Sequence, residues 1–230
     1  MLFLLEGTEV LIEETATESF SLIGMAAKGG WLMLVLLLLS FLAIYIFGEK
    51  FWEIRKSSSI NRKFMKKIHD RINDGKIEEA LALCKKDDTT IARLIEKGIE
   101  RLGRPLPDIQ ASIENMGNVE VARLERGLPI LATISGGAPM IGFLGTVTGM
   151  IRAFFNMAQA GSNVDITLLS GGIYEAMLTT VGGLFVGIIA YFGYNFLTSR
   201  ISDLVFHMES VTIEFMDMLY EPSSESKKRK

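Results

Sequence analysis

The sequence predicts an all-α membrane protein, with three transmembrane helices and long helical extensions on the cytoplasmic side. The 230 residues are 49% hydrophobic and 22% charged, and the mean hydropathy is +0.30. The apolar residues are concentrated in three runs, at 31–47, 128–151 and 171–197. Because a membrane-spanning helix needs about 20 apolar residues at a rise of about 1.5 Å each, every run qualifies once its flanks are included.

The distribution of basic residues predicts the topology. Residues 1–27 contain five Glu and no Lys or Arg, whereas residues 48–127 contain 17 of the 24 basic residues. Because basic flanks stay cytoplasmic, the amino terminus is expected outside and the carboxy terminus inside. The predicted order is an outer segment 1–27, a span 28–48, a cytoplasmic helical domain 49–127, a span 128–155, an outer loop 156–170, a span 171–197 and a cytoplasmic helix with a basic tail 198–230. Within the outer segment, residues 19–27 are expected to form either an interfacial helix or a frayed terminus.

The cytoplasmic domain is expected to consist of short helices. The pattern predicts one helix at 77–86 and a second from Thr89 to Gly103. Asp108 is the expected N-cap of a third helix that continues without a break into the second span. From the end of the third span onward, apolar residues recur at alternating steps of four and three, which is a coiled-coil seam: Leu197, Ile201, Leu204, Met208, Val211, Phe215 and Met218. Such a seam needs a partner, either the chain's own helices or another copy of the chain.

Enzymatic and metal-binding functions have little support in the sequence. The single Cys84 leaves no second thiol for a disulfide or a cluster, and His69 and His207 lie far apart and outside the spans. A phosphate-binding G-x-x-x-x-G-K-[ST] loop does not occur in the sequence. We therefore expect a protein that is not an enzyme, carries no cofactor or metal and binds no nucleic acid.

Small residues form stripes on the second and third spans. On the second span the stripe contains Gly142, Gly145 and Gly149, and on the third it contains Gly183 and Gly187. Small residues at this spacing let helix backbones approach closely. These stripes on their own predict helix packing and no more.

The polar residues within the spans suggest a functional site. Counted from outer boundaries near residues 155 and 171, Thr146 and Thr180 both lie nine residues in, or roughly 13 Å. Arg152 and Glu175 lie three and four residues in. A carboxylate in the membrane is costly and is a functional-site hypothesis by default. We therefore predict hydroxyls at mid-depth and a carboxylate and a guanidinium at the outer mouth, where Arg152 either pairs with Glu175 or extends outward on its own.

One geometric difficulty accompanies this prediction. Glu175 and Thr180 are five residues apart, which places them about 140° apart around an ideal helix. The two residues therefore cannot share a narrow stripe unless the helix is distorted near Gly182 and Gly183, or they face different neighbours.

Two motifs resemble the MotA/TolQ/ExbB proton-channel family, and within it ExbB and TolQ most. They are Gly142-Phe143-Leu144-Gly145-Thr146-Val147-Thr148-Gly149 and Gly172-Ile173-Tyr174-Glu175-Ala176-Met177-Leu178-Thr179-Thr180, supported by Lys28-Gly29-Gly30-Trp31 and Tyr194-Asn195. The resemblance extends over about residues 28–200. In this family Thr146 and Thr180 match the pore threonines and Glu175 matches the intramembrane glutamate. Thr179 stands where many relatives have Ala and Thr148 where many have Trp, so Thr179 joins the candidate proton-pathway residues.

The resemblance implies a larger assembly. Five copies of this subunit would form a pentamer around a central pore in the inner membrane of a Gram-negative bacterium, with the outer segments in the periplasm. The pore would hold two single-span helices of an ExbD- or TolR-like partner, whose membrane Asp carries the proton, the coupling ion. A TonB- or TolA-like protein and phospholipids are further expected partners.

Several functions compete with the ExbB-like one, which energises TonB-dependent uptake across the outer membrane. A TolQ-like role in envelope maintenance is equally compatible with one sequence. A flagellar or gliding-type stator is disfavoured because the flagellar branch resembles a four-span subunit. A secondary transporter would need inverted repeats, and a non-conducting scaffold would not account for Glu175 and the level threonines.

Overall fold

The structure is a computed structural model that describes residues 30–57, 62–87, 89–159 and 166–220. All regular elements within these ranges are α-helices, which confirms the predicted all-α class. They are α1 (Gly30–Ser57), α2 (Arg62–Asn73), α3 (Ile77–Lys86), α4 (Thr90–Ile99), α5 (Leu106–Glu125), α6 (Leu128–Gln159) and α7 (Ile166–Tyr220). The predicted interfacial helix at 19–27 and the basic tail at 227–230 lie outside the described residues.

Three helical stretches are long and apolar enough to cross a membrane, as predicted. They are Gly30–Ser57, Leu106–Gln159, which comprises α5 and α6, and Leu169–Tyr220. The chain divides into two compact units. Among the described residues, the first unit contains 30–40 and 136–187, and the second contains 41–135 and 188–220.

In the second unit, the ends of the short helices follow from local backbone chemistry. The Thr89 side chain accepts a hydrogen bond from the amide of Ala92 at 3.2 Å, so Thr89 is the N-cap of α4. Gly75 has a φ of +71° in the turn between α2 and α3. The predicted helices at 77–86 and from Thr89 are therefore present, although the regular part of the second ends at Ile99.

Two expectations about α5 are wrong. The N-cap is Pro105, and Asp108 lies in the first turn, where its charge still favours the amino end of the helix. The helix also stops at Glu125 instead of continuing into α6, because Gly127 has a φ of +98°, which a helix cannot accommodate. At this break the ammonium of Lys50 on α1 donates to the backbone carbonyl of Arg123 at 3.3 Å and so caps the end of α5.

The apolar seam of α7 packs against the short helices of the second unit of its own chain. Most of the seam is buried, including Leu197, Ile201, Leu204, Met208 and Phe215. A Cβ placed on Gly98 of α4 would lie 2.7 Å from the Phe215 ring and 2.8 Å from Ile113 of α5. The seam is therefore part of the core of the second unit. Of the two partners that the sequence left open, the burial of the seam supports the helices of its own chain.

A buried ion pair joins α4 to α5 in the same unit. Arg93 donates to both carboxylate oxygens of Glu120, at 2.8 and 2.7 Å, and Glu120 is only 3% exposed. The hydroxyl of Thr90 donates to the same carboxylate at 3.5 Å. Such a bidentate, hydrogen-bonded pair fixes the mutual register of the two helices.

We expect the Cys84 thiol to resist alkylation in the folded protein. Burial, followed by the nearby carboxylates of Glu96 and Asp87, raises the pKa of Cys84 to about 12. Since the thiolate is the nucleophile, a thiol with a raised pKa is almost wholly protonated at pH 8. Maleimide labelling followed by mass spectrometry should show slow modification in the native protein and fast modification in denaturant. Equal rates in both would contradict the burial of this side chain.

Candidate functional site

In the first unit, α6 and α7 approach each other through their small residues. A Cβ on Gly142 would lie 2.9 Å from the backbone oxygen of Thr179, and one on Gly183 would lie 2.5 Å from the backbone oxygen of Ala138. A Cβ on Gly149 would meet the side chain of Ala176 at 2.8 Å. These distances leave no room for a larger side chain. The glycine stripes therefore bring the two backbones into contact. Gly187, one turn farther along α7 than Gly183, is also buried.

This close contact brings together the two threonines that the sequence predicts to lie at mid-depth. The hydroxyl oxygens of Thr146 on α6 and Thr180 on α7 are 2.9 Å apart, which is hydrogen-bonding distance. Thr180 also donates to the backbone oxygen of Gly142 at 3.0 Å, and Thr146 can donate to that of Phe143 at 2.9 Å. Both side chains remain partly exposed.

The hydroxyl pair has more acceptors than protons. Each hydroxyl has one proton to donate and two lone pairs that accept. In one arrangement Thr180 donates to Gly142 and Thr146 donates to Thr180. In the other, Thr146 donates to Phe143 and Thr180 donates to Thr146. The pair can therefore reverse its direction of donation without moving its oxygens, and it keeps lone pairs to accept a further hydrogen bond from a group beside it.

A shallow groove on the surface of α6 has Thr146 at its edge. It has a volume of about 690 Å³, and Thr146 is the polar residue of a lining that otherwise consists of Val147, Met150, Ile151, Phe154 and Phe155. An apolar groove with one hydroxyl at its edge suits an apolar helix that carries a single hydrogen-bonding group.

Thr179 occupies a different environment from Thr146 and Thr180. It is 2% exposed, and its hydroxyl donates to the backbone oxygen of its own helix at Ala176, at 2.8 Å. Its side chain lies directly against Gly145, so that any Cβ there would collide with it. The structure therefore places Thr179 in the contact between α6 and α7 and away from the exposed groove.

Glu175 lies where three helices meet. A carboxylate oxygen of Glu175 is 3.4 Å from the guanidinium of Arg152 on α6. A Cβ on Gly30, the first residue of α1, would lie 2.5 Å from the same oxygen. Gly30 also has a φ of +67°, a conformation that suits glycine. Sequence reasoning did not assign Gly30 any function, although its position next to Gly29, immediately before the apolar run, could have drawn attention to it.

The hydroxyl pair and the carboxylate lie on opposite sides of the contact between α6 and α7. Ala176, Thr179 and Gly183 of α7 face α6, whereas Glu175 turns toward α1 and Thr180 toward the other side. This arrangement agrees with the 140° separation expected of an undistorted helix. Glu175 and the two threonines therefore do not form one continuous polar patch within a single chain.

We expect Arg152 and Glu175 to act as a pair in stabilising the protein. Because the two side chains are 61% and 30% exposed, their attraction contributes about 0–1 kcal/mol. Once Glu175→Gln has removed the charge, adding Arg152→Gln should lower the melting temperature of the purified protein no further. Melting shifts that add independently in the double variant would contradict the pairing.

Sequence similarity to known proteins covers most of the chain. The sequence model of the MotA/TolQ/ExbB proton channel family matches residues 86–210. Over 218 residues the chain is 31% identical to the ExbB-like 1 biopolymer transport protein of Synechocystis, covering 90% of this chain and 84% of that protein.

Two further relatives come from other bacteria. The biopolymer transport protein ExbB of Neisseria meningitidis is 28% identical over 180 residues, covering 72% of this chain and 79% of that protein. The Tol-Pal system protein TolQ of Haemophilus influenzae is 34% identical over 98 residues, covering 43% of this chain and 45% of that protein. The chain is therefore a membrane protein of the MotA/TolQ/ExbB proton channel family, on its ExbB and TolQ side.

Proposed function

We propose that this protein is the proton-channel and stator subunit of an inner-membrane motor. In this proposal the motor uses the proton motive force to energise a process at the cell envelope, as an ExbB-like subunit would for TonB-dependent uptake across the outer membrane. The observation that supports it best is the hydroxyl pair of Thr146 and Thr180, held at 2.9 Å beside an exposed apolar groove.

The chemistry of the pair suits a proton carried by a partner. A protonated carboxyl group can donate to a threonine oxygen, and a carboxylate can accept from the same hydroxyl after the proton has left. The threonines serve both states without contributing a charge of their own. In our proposal, the carrier is the membrane Asp of an ExbD- or TolR-like helix, and Thr146 and Thr180 are its contacts in the pore.

The proposed assembly places the hydroxyl pairs around a central pore. Five copies would surround two partner helices, so that five hydroxyl pairs serve two carboxyl groups. Two carboxyl groups cannot form hydrogen bonds with all five hydroxyl pairs at once. Gain and loss of the proton on each carboxyl group would therefore favour rotation of the partner within the ring. The amino terminus would lie in the periplasm and the carboxy terminus in the cytoplasm, and protons would be the only coupling agent, without a metal or an organic cofactor.

Co-purification tests this proposal. We expect the protein to retain a single-span partner during purification from its native membrane, and native mass spectrometry should give five copies of this subunit with two of the partner. Reconstituted into vesicles, the complex should move protons when a pH gradient is imposed. Purification as a complex without any single-span protein, or vesicles that remain proton-tight, would refute the proposal.

A TolQ-like function is the second candidate, because a TolQ protein is among the relatives. The identity of the retained partner distinguishes the two. Association with a TonB-like protein and loss of energised uptake on deletion would favour the ExbB-like role. Association with a TolA-like protein and a leaky envelope on deletion would favour the TolQ-like one.

A further inference from the structure

A groove in the second unit lies between α1 and α7, just beyond their apolar runs. It has a volume of about 650 Å³ and is lined by Phe51, Ile54, Arg55, Leu197, Arg200, Asp203, Phe206 and His207. Its apolar wall is continuous with a cluster of three aromatic rings, Phe47, Phe51 and Phe196, whose centroids are 6.0 to 6.3 Å apart.

The polar wall of the groove carries two arginines. Both Arg55 and Arg200 are exposed, and within the described residues neither belongs to an ion pair. The guanidinium of Arg200 lies 5.2 Å from the centre of the Phe196 ring, four residues earlier on α7. Asp203 contributes one negative charge, so the ionised lining has a net charge of +1 when His207 is neutral.

By position along the helix, Arg200 lies at the depth of lipid headgroups and Arg55 lies beyond it. Arg200 follows the last apolar residue of its run, Leu197, by three residues, or about 5 Å of helix, and a headgroup layer is about 5–7 Å thick on each side. Arg55 is eight residues past Phe47, about 12 Å, but helical side chains tilt toward the amino terminus. Because α1 and α7 both leave their apolar runs toward the carboxy terminus, both arginines tilt back toward the membrane.

On each helix the lining begins with an apolar residue, Phe51 or Leu197, and the arginine follows farther from the span, before Asp203, Phe206 and His207. This part of the groove therefore has the order of a phospholipid, with its acyl chain nearer the span and its phosphate beyond it. Guanidinium groups bind phosphate through several parallel hydrogen bonds. We propose that this groove binds one anionic phospholipid of the cytoplasmic leaflet, with its phosphate between Arg55 and Arg200 and the start of an acyl chain against Phe51 and Phe196.

Lipid titration with native mass spectrometry tests this proposal on the purified protein. The groove variant is Arg55→Gln with Arg200→Gln. The matched control is Lys86→Gln with Arg104→Gln, which removes the same charge from exposed positions outside the groove. Each protein is titrated with phosphatidylglycerol and with phosphatidylcholine, and the phosphatidylglycerol titration is repeated with excess inorganic phosphate.

We expect the first phosphatidylglycerol to bind about 30-fold more weakly to the groove variant, in keeping with two lost arginines, and equally well to the control. Phosphatidylcholine should bind the unaltered protein more weakly, and inorganic phosphate should not displace the lipid. Unchanged binding by the groove variant, an equal loss in the control or displacement by phosphate would overturn the proposal. Dissociation of the oligomer in the groove variant alone would also overturn it, because the groove would then belong to a contact between subunits.

Discussion

Replacing Thr180 by valine should lower proton conduction by the complex at least about tenfold. Valine has nearly the shape of threonine, so the contact between α6 and α7 remains, but the hydroxyl that pairs with Thr146 at 2.9 Å and donates to Gly142 is lost. Hydrogen bonds to charged groups contribute about 1.5–3 kcal/mol, and removing one from the path of a proton reduces its transfer accordingly. Proton uptake by vesicles containing the complex, driven by an imposed pH gradient, measures the loss.

Two further variants show whether this effect belongs to the hydroxyl. Thr180→Ser keeps the hydroxyl and should retain most of the flux. Thr148→Val removes an exposed hydroxyl of α6 that donates only to the backbone of its own helix, and it should change little. If Thr180→Val conducts like the unaltered protein, or if Thr148→Val loses as much as Thr180→Val, the hydroxyl pair does not handle the proton.

The equal depth of the two threonines could be predicted from the sequence because it depends only on counting residues along two helices. Thr146 and Thr180 are equally far from their outer boundaries, and antiparallel neighbours with equal depth can meet if they share a face. The glycine stripes supplied that face. The 2.9 Å contact between the hydroxyls is therefore the geometric consequence of a pattern that the sequence displays.

Other features depend on contacts between distant residues, which no periodicity records. Thr179 differs from Thr180 by one position, yet it is enclosed against Gly145 because the 100° step between neighbours turns it into the helix contact. Gly30 meets Glu175 only after α1 has packed beside α7. The break at Gly127 was missed since an isolated glycine within a helical pattern is often tolerated, and only its positive φ reveals the break.

Substituting Gly183 by alanine should destabilise the contact on which the hydroxyl pair depends. The added Cβ would lie 2.5 Å from the backbone oxygen of Ala138 and 2.9 Å from the Cα of Gly142. Since both atoms belong to the backbone of α6, no side chain can rotate away, and the helices must separate. Overpacking of this kind costs about 1–3 kcal/mol. A lower melting temperature of the detergent-solubilised protein measures this loss.

The same substitution should also impair proton conduction, because separating α6 from α7 lengthens the hydrogen bond between Thr146 and Thr180. Gly137→Ala is the matched control, since a Cβ at that position of α6 meets nothing within 4 Å. Alanine is also the better helix former by about 1 kcal/mol, so this control should melt at the same or a slightly higher temperature. A Gly183→Ala protein that melts and conducts normally would show that the hydroxyl pair does not need backbone contact at this position, and the link from glycine stripe to proton pathway would be lost.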